Sequence, residues 1–360
     1  MARPRRSIDW AGDNGGMDPR AASTIRVTGI GSMPGTDSAE SARVVAGEFD
    51  IPHLAELPAR GPGADMVGRT LALVASVTGE FAAETTPDGW RLAGGRSGGD
   101  LGRQMRRGAS WLAEDLDRME HELDGFSGQV KVQVAGPWTL AAALESVRGT
   151  RLVADAGACT DLGAALGESV AAHVQDVRRR IPGAQVVLQV DEPSLPTVLA
   201  GHIRTPSGRG ALRIPESPEV VAGLAAVRVS AETAGAGATV AHTCAADVPF
   251  DVLGRAGFAA VALDAALVGQ AADEALGTWW ESGGFVVLGL VPTVDDAGTT
   301  PESVARSVTR MWGRIGYGIS DVGTRTWLSP ACGLAGASPS WARQVGGLMR
   351  EAARMLEASD

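Results

Sequence analysis

The chain has 360 residues, of which 44% are hydrophobic and 21% are charged, the balance of a water-soluble globular protein. Its formal net charge of −10 argues against a nucleic-acid partner, because binding phosphates needs a concentrated basic face. No apolar run reaches the roughly 20 residues that span a bilayer, so we expect no membrane partner, and three cysteines in so long a chain indicate a reducing cytoplasm rather than a disulfide framework.

The first 23 residues contain arginines without the apolar stretch that a signal peptide needs, so we expect a disordered tail (1–23) followed by one domain (24–360). From there on, short runs rich in Val, Ile and Leu alternate with longer Ala-rich stretches. The predicted strands are residues 25–30, 51–57, 130–135, 185–190, 238–241, 258–263, 285–290 and 326–329. The predicted helices are residues 39–48, 102–123, 162–180, 218–234, 271–281, 301–317 and 340–358.

Strands that are apolar on both faces and alternate with helices predict an α/β fold with a parallel sheet covered by helices. Eight such units predict a single (β/α)8 TIM barrel, with an open doubly wound sheet as the main alternative. Two stretches look like insertions. Residues 82–100 follow strand two and contain PDG at 87–89, which indicates a hairpin turn. Residues 201–215 follow strand four and are basic and Gly-rich, either a mobile loop over the barrel mouth or a solvated connection.

Reactive side chains occur at the carboxyl ends of the predicted strands, where barrel enzymes keep their chemistry. They lie at the ends of strands one, two, four, five, six and eight. In chain order these residues are Ser32, Glu56, Asp191, Glu192, His242, Cys244, Asp264 and Cys332.

The sequence His242-Thr-Cys244 is the strongest local signal, because side chains two apart in an extended segment point to the same side. A ring nitrogen and a thiolate suit zinc, which takes four ligands and keeps one position open when it is catalytic. Cys332 would reach the same barrel mouth, and Asp264 is either an oxygen ligand or a group that orients a ligand. The alternative for any cysteine is a small buried hydrophobe, which is our interpretation of Cys159.

Asp191 and Glu192 are adjacent acids at the end of an apolar strand. Two such acids are costly unless they are solvated, paired or functional, and this favours a catalytic role for both. The alternative is that they merely cap the helix of the fourth unit.

Several short motifs together resemble cobalamin-independent methionine synthase, both its C-terminal catalytic barrel and the short archaeal-type forms that consist of that barrel alone. Their order and wide separation cover nearly the whole chain after residue 24. The motifs are GIGSMP at 29–34, DMV at 65–67, GP at 136–137, QVDEP at 189–193, HTC at 242–244 and PACGL at 330–334.

The resemblance implies a zinc site and a thiol substrate. His242, Cys244 and Cys332 match the family's zinc ligands, and Asp264 stands at the position of its fourth ligand, a glutamate. Asp191 matches the acid that holds the amino group of homocysteine. The carboxylate of homocysteine would be held by two further matching residues, Ile30 and Ser32.

Two departures from the family pattern bear on the substrate. Gly68 stands where the family has a glutamate that also grips the substrate amine. The histidine usually found after strand seven is missing from residues 289–293 (GLVPT).

The resemblance therefore implies a zinc-dependent methyltransferase of the kind used in methionine biosynthesis, with homocysteine or a related thiol as acceptor. The methyl donor is a methylated corrinoid, as in the archaeal forms, either free or carried by a corrinoid protein, or it is methyl-tetrahydrofolate. Arg204, Arg209 and Arg213 of the basic loop are available for an acidic cofactor tail or a corrinoid protein.

Two other functions remain open. A metal-free enzyme like uroporphyrinogen decarboxylase would use arginines, such as Arg60 and those of the basic loop, around a polyacidic substrate. A non-catalytic zinc-binding barrel would hold its metal with four protein ligands and leave no room for a thiol.

Overall fold

A curled sheet of seven parallel strands forms the centre of the computed structural model, which describes residues 25–93, 102–205 and 208–359. Along the sheet the strand order is β1-β10-β9-β8-β7-β6-β4, with β2, β3 and β5 in a small separate sheet. The strands are β1 (Arg26–Val27), β2 (Ala83–Thr86), β3 (Gly89–Leu92), β4 (Gly128–Ala135), β5 (Leu144–Glu145), β6 (Ala184–Asp191), β7 (Ala238–Thr243), β8 (Ala260–Asp264), β9 (Phe285–Val291) and β10 (Thr326–Pro330).

Residues 51–56 close the ring between β1 and β4. On one side the Ile51 amide donates to Val27 O at 3.1 Å. On the other side the Leu54 amide donates to Lys131 O at 2.9 Å, and the Lys131 amide donates to Pro52 O at 2.8 Å. The prediction of a (β/α)8 TIM barrel is thus confirmed, and strands β7, β8 and β10 all open their carboxyl ends onto one mouth.

The second predicted strand, 51–57, is present only as isolated bridges rather than as a continuous ladder. Pro52 has no backbone N–H to give to a ladder. The pairing also shifts by one residue along this segment, from Thr28 with Ile51 to Ser32 with Glu56. Both features interrupt regular pairing while leaving the segment in its barrel position.

Helices cover the outside of the barrel, and their apolar faces pack on the outward side chains of the sheet in one large core cluster. No helix of the described residues is long and apolar enough to cross a membrane. The helices are α1 (Ser38–Glu48), α2 (Met66–Thr78), α3 (Gly102–Glu122), α4 (Pro137–Ala143), α5 (Ala156–Arg180), α6 (Leu195–Leu199), α7 (Ser217–Thr233), α8 (Phe250–Arg255), α9 (Asp273–Glu281), α10 (Pro301–Arg314), α11 (Ile319–Val322) and α12 (Pro339–Ala358).

A second, smaller apolar cluster draws its side chains from segment 51–56 and from β6 to β10, and this cluster fills the barrel interior. Phe285 and Trp327 form its centre, with ring centroids 5.0 Å apart in an edge-on arrangement. Side chains at every second position of a strand point into the barrel, so each strand carries a series of inward positions that leads towards the mouth. On β6 they change from Val187 to Gln189 and then to Asp191. The barrel is therefore apolar at its base and polar towards its mouth.

The predicted hairpin insertion is confirmed by β2 and β3, which pair antiparallel with Pro87 and Asp88 in the turn. It is tied to the barrel through β5, because Trp90 pairs with Leu144. Residues 94–100 of the predicted insertion, residues 206–207 of the predicted loop 201–215, and the predicted tail 1–23 lie outside the described residues.

Candidate active site

Three potential metal ligands converge at the mouth of the barrel. His242 lies near the end of β7, Cys244 follows that strand, and Cys332 follows β10. One ligand atom from each lies within 4.8 Å of the other two. The two sulfur atoms are 3.3 Å apart. Residues separated by 88 positions in the sequence therefore share one small volume.

Two glycines allow the Cys332 loop to approach this volume. A Cβ at Gly289, on β9, would lie 2.7 Å from both the Cα of Ala331 and the carbonyl oxygen of Leu263. A Cβ at Gly333 would collide with the hydroxyl of Ser32. The loop is also fixed by its backbone, since the Ala331 amide donates to Val291 O at 2.9 Å. A larger residue at Gly289 would therefore force the backbone next to Cys332 to shift.

The His242 ring is oriented by Asp191. Its Nδ1 lies 2.8 Å from the Asp191 Oδ1, and both side chains are almost fully buried. The other ring nitrogen, Nε2, is buried and makes no hydrogen bond to the described residues. Metal-bound histidines usually have a carboxylate on one ring nitrogen and bind the metal through the other. The residues present therefore fit a zinc ion, with Nε2 and two sulfurs as donors.

The same contacts shift the pKa values of the three groups. Burial lowers the pKa of His242, but the hydrogen bond that its ring donates to Asp191 and the neighbouring Cys332 outweigh burial and raise the pKa to about 9. The hydrogen bond between the two sulfurs lowers the pKa of Cys244 and raises that of Cys332. Protons on these atoms compete with a metal ion for the same lone pairs, so we expect metal affinity to rise with pH.

Behind Asp191 lies a buried polar network that the sequence analysis did not identify. Gln189 donates from Nε2 to the Asp191 Oδ1 at 2.7 Å, and Lys131 donates from Nζ to the Gln189 Oε1 at 2.6 Å. The signal was present in the β4 sequence GQVKVQVA, where Gln129, Lys131 and Gln133 alternate with valines. Such alternation in a strand covered by helices marks a polar inward face.

Ser32 and Ile30, which the resemblance assigns to binding the substrate carboxylate, lie beside this network. The Ile30 carbonyl accepts hydrogen bonds from both Lys131 and Gln189, at 3.0 and 2.9 Å. Ser32 pairs with Glu56, and its carbonyl accepts from the Leu334 amide at 2.7 Å. Ser32 is thus next to the Cys332 loop. Its role in substrate binding stays a prediction.

Glu192 faces away from the sulfur pair. Its carboxylate accepts from the Trp138 and Thr139 amides at 2.9 and 2.8 Å and from the Thr139 hydroxyl at 2.7 Å. Burial raises its pKa to about 7, although the hydrogen bonds from Thr139 and Trp138 lower it. Glu192 therefore caps the start of α4. The helix-cap alternative expected it to cap the helix of its own unit, which follows β6, whereas α4 follows β4. The prediction that it acts in catalysis has no support from these contacts.

Asp264 ends β8 at the same mouth but lies outside the group formed by His242, Cys244 and Cys332. One of its oxygens accepts from the Ala266 amide at 2.9 Å, which closes the turn after the strand. Its charge is close enough to raise the pKa of Cys244. Its assignment as a fourth ligand stays a prediction.

Gly68 has no room for a side chain. A Cβ there would lie 2.4 Å from the Trp90 ring, 2.7 Å from the Gly63 amide nitrogen and 2.8 Å from a carboxylate oxygen of Asp65. Trp90 belongs to the hairpin insertion, so the insertion occupies the space that a side chain at position 68 would need. Glu56 is another acid in the neighbourhood of Asp191. Burial raises its pKa to about 7, Arg69 lowers it, and Asp191 raises it further.

Two arginines proposed for binding an acidic substrate are already paired with acids. Arg60 lies 2.9 Å from Asp115, and both side chains are buried. Arg213 of the loop after β6 makes two hydrogen bonds to Glu219, at 2.8 and 2.6 Å. These pairs reduce the positive charge that either residue offers to a ligand.

A sequence model described as the catalytic domain of cobalamin-independent synthase matches residues 124–355, more than half of the chain. The chain belongs to this family. The matched region contains all three residues of the His242, Cys244 and Cys332 group. Among curated proteins no match is found.

Among solved structures, the chain is similar to a B12-independent methionine synthase from Shewanella sp. W3-18-1 in complex with selenomethionine. The two share 13% identity with a TM-score of 0.56, over 93% of this chain and 98% of that one. At this identity the similarity supports the barrel fold. An uncharacterized protein shares 20% identity over 46% of this chain and 38% of its own, with a TM-score of 0.24.

Replacing Glu192 with Ala is expected to lower the free energy of unfolding by about 1–3 kcal/mol, because buried backbone N–H groups lose their acceptor. Glu192→Gln keeps a carbonyl oxygen at this place and should cost less. Zinc affinity should be unchanged in both variants. Urea unfolding and zinc titration measure the two quantities. A Glu192→Ala protein with wild-type stability and weakened zinc binding would contradict the capping role.

Proposed function

We propose that this member of the cobalamin-independent synthase family is a zinc-dependent methyltransferase that moves a methyl group onto a thiol. The convergence of the His242 ring with the sulfurs of Cys244 and Cys332 at the barrel mouth carries this proposal. Three protein donors of these types leave one of the four positions of zinc open, as catalytic zinc sites do. A non-catalytic site would instead keep four protein ligands when a thiol is present.

The chain's own residues would bind and orient the acceptor. Both side-chain hydrogen bonds that Asp191 makes to the described residues use Oδ1, which leaves Oδ2 for the ammonium group of an amino-acid thiol. The hydroxyl of Ser32 would receive the carboxylate. Homocysteine has both groups and a thiol. Gly68 cannot carry the second amine-binding acid that the resemblance implies. A related thiol whose amino group needs only one acidic partner therefore also fits.

A free thiol is mostly protonated at neutral pH, because its unperturbed pKa is about 8.5. Zinc, when bound, supplies an open position and a positive charge that favour the anionic form of the acceptor sulfur. In the transfer a sulfur–carbon bond forms on the methyl group as the bond from that carbon to the donor breaks. With a folate donor, the leaving nitrogen then takes up a proton.

Methyl-tetrahydrofolate is the donor that family membership favours, because the family is defined as cobalamin-independent. A methylated corrinoid or a corrinoid protein is the weaker alternative. The pairing of Arg213 with Glu219 also reduces the charge that the loop after β6 presents to an acidic partner.

Cys244→Ala and Cys332→Ala are each expected to abolish stoichiometric zinc binding and thiol methylation. The two donors that remain in either variant are too few to retain a catalytic metal. Cys159→Ala is the matched control. Cys159 is buried and its thiol lies 3.4 Å from Leu152 O, far along the chain from the three donors. Zinc content by mass spectrometry and methylation of homocysteine measure the outcome. Full methylation activity in a zinc-free Cys332→Ala protein would refute the zinc-dependent mechanism.

The donor is tested by supplying the zinc-loaded protein with homocysteine and either methyl-tetrahydrofolate or methylcobalamin. We expect methionine to form with the folate and not with the cobalamin. The wild-type protein without a donor is the blank. Turnover only with methylcobalamin would reverse the assignment of the donor but would leave the thiol acceptor in place.

A further inference from the structure

We propose that Lys131 and Gln189 are positioning residues that fix the direction of the hydrogen bonds to Asp191 and His242, and so keep the Nε2 of His242 available as a metal donor. This inference rests on the proposed zinc site and assigns a task to two buried side chains that touch neither metal nor substrate.

The direction of the network follows from the chemistry of its groups. A lysine ammonium can only donate hydrogen bonds, whereas an amide side chain can donate at one atom and accept at the other. One end of the Gln189 amide lies 2.9 Å from Ile30 O and 2.7 Å from Asp191 Oδ1, both acceptors, so that end is the nitrogen. The other end, 2.6 Å from Lys131 Nζ, is therefore the oxygen, which accepts from Lys131. The reverse orientation would place two donors against each other.

Asp191 consequently acts as an acceptor twice at the same oxygen. Its Oδ1 accepts from Gln189 and from the Nδ1 of His242, which lies at 2.8 Å. With the ring proton held at Nδ1, the proton that a metal displaces is the one at Nε2. That nitrogen is buried and has no hydrogen-bond partner among the described residues, and the His242 ring shares one small volume with both sulfurs. Which ring nitrogen binds a metal is generally set by the hydrogen bond of the other nitrogen.

The Ile30 carbonyl fixes the two positioning residues in place. It accepts from Lys131 at 3.0 Å and from Gln189 at 2.9 Å, so both donors converge on one backbone oxygen. Lys131 and Gln189 are each 1% exposed, and water cannot replace a lost partner without entering the barrel. In so buried a network a wrong orientation is costly, because an unpaired polar group keeps its full desolvation penalty.

A purely structural role for these residues predicts a different result. Lys131 also lies close enough to Asp191 and Glu56 for their charges to raise its pKa, although burial lowers it to about 7 overall. If Lys131 served only to balance these buried acids, its removal would lower stability and leave the donor set of the metal site unchanged.

The test compares Lys131→Met and Gln189→Met with Gln133→Met as the matched control. Gln133 is a buried amide on the same strand as Lys131, but it donates to Glu56 and to Leu54 O rather than to Asp191. Lys131→Gln is a milder variant that keeps a hydrogen bond but removes the obligatory donor. It replaces Lys131→Met if that protein does not fold. Zinc affinity is measured by competition with a chelator, and the Co²⁺-substituted proteins give an absorption spectrum sensitive to the ligand set.

We expect zinc affinity to fall about 10- to 100-fold in the Lys131 and Gln189 variants, as it does when partners of metal-bound histidines are removed. The Co²⁺ spectrum should change with it, while Gln133→Met keeps both the affinity and the spectrum of the wild type. Unchanged affinity and spectrum in the Lys131 and Gln189 variants would overturn this inference alone. Failure of the wild-type protein to bind either metal would overturn the proposed function as well.

Discussion

The hydrogen bond between Asp191 and His242 links the polar interior of the barrel to the sulfur pair at its mouth. Asp191 ends β6 and His242 stands directly beside it on β7 in the parallel register. Towards the barrel interior, Gln189 donates a hydrogen bond to Asp191. Towards the mouth, the His242 ring that Asp191 orients lies beside Cys244 and Cys332. The arrangement depends on register, because a shift of one residue would turn either side chain out of the barrel.

The position of Cys332 depends on barrel closure and on close backbone approach. Strands β8 and β9 lie between β7 and β10, so only the curvature of the sheet brings the two cysteines together. Gly289 allows the chain after β10 to cross close to β9, and Gly333 allows the same loop to lie against Ser32. The closing segment 51–56 joins the ring through isolated bridges rather than a continuous ladder. The strands on either side of it are paired within the sheet, β1 with β10 and β4 with β6.

Much of the fold could be predicted from the sequence, because the strand–helix alternation and the hairpin turn are local signals. Boundaries were less exact: α5 begins at Ala156 rather than at residue 162, since Asp155 caps it by accepting from the Ala158 amide. The continuous second strand was a wrong expectation, for which Pro52 and a shift in pairing are responsible.

The candidate site was predictable where strand ends carry reactive residues, and less so where contacts cross the barrel. That Glu192 points to α4 depends on packing between neighbouring units, as does the covering of Gly68 by Trp90. The roles of Lys131 and Gln189 depend on their reaching the same carbonyl, that of Ile30, from two strands. Sequence alone shows only that β4 has a polar inward face.

In the proposed site one ion is held by an imidazole and two sulfurs, with a further position open to a thiol. X-ray absorption at the zinc edge measures this directly, because zinc–sulfur distances of about 2.3 Å separate from zinc–nitrogen distances of about 2.0 Å. The account predicts two sulfurs and one imidazole on the zinc-loaded protein, and a third sulfur after homocysteine is added. A spectrum without sulfur neighbours, or one that homocysteine leaves unchanged, would contradict it.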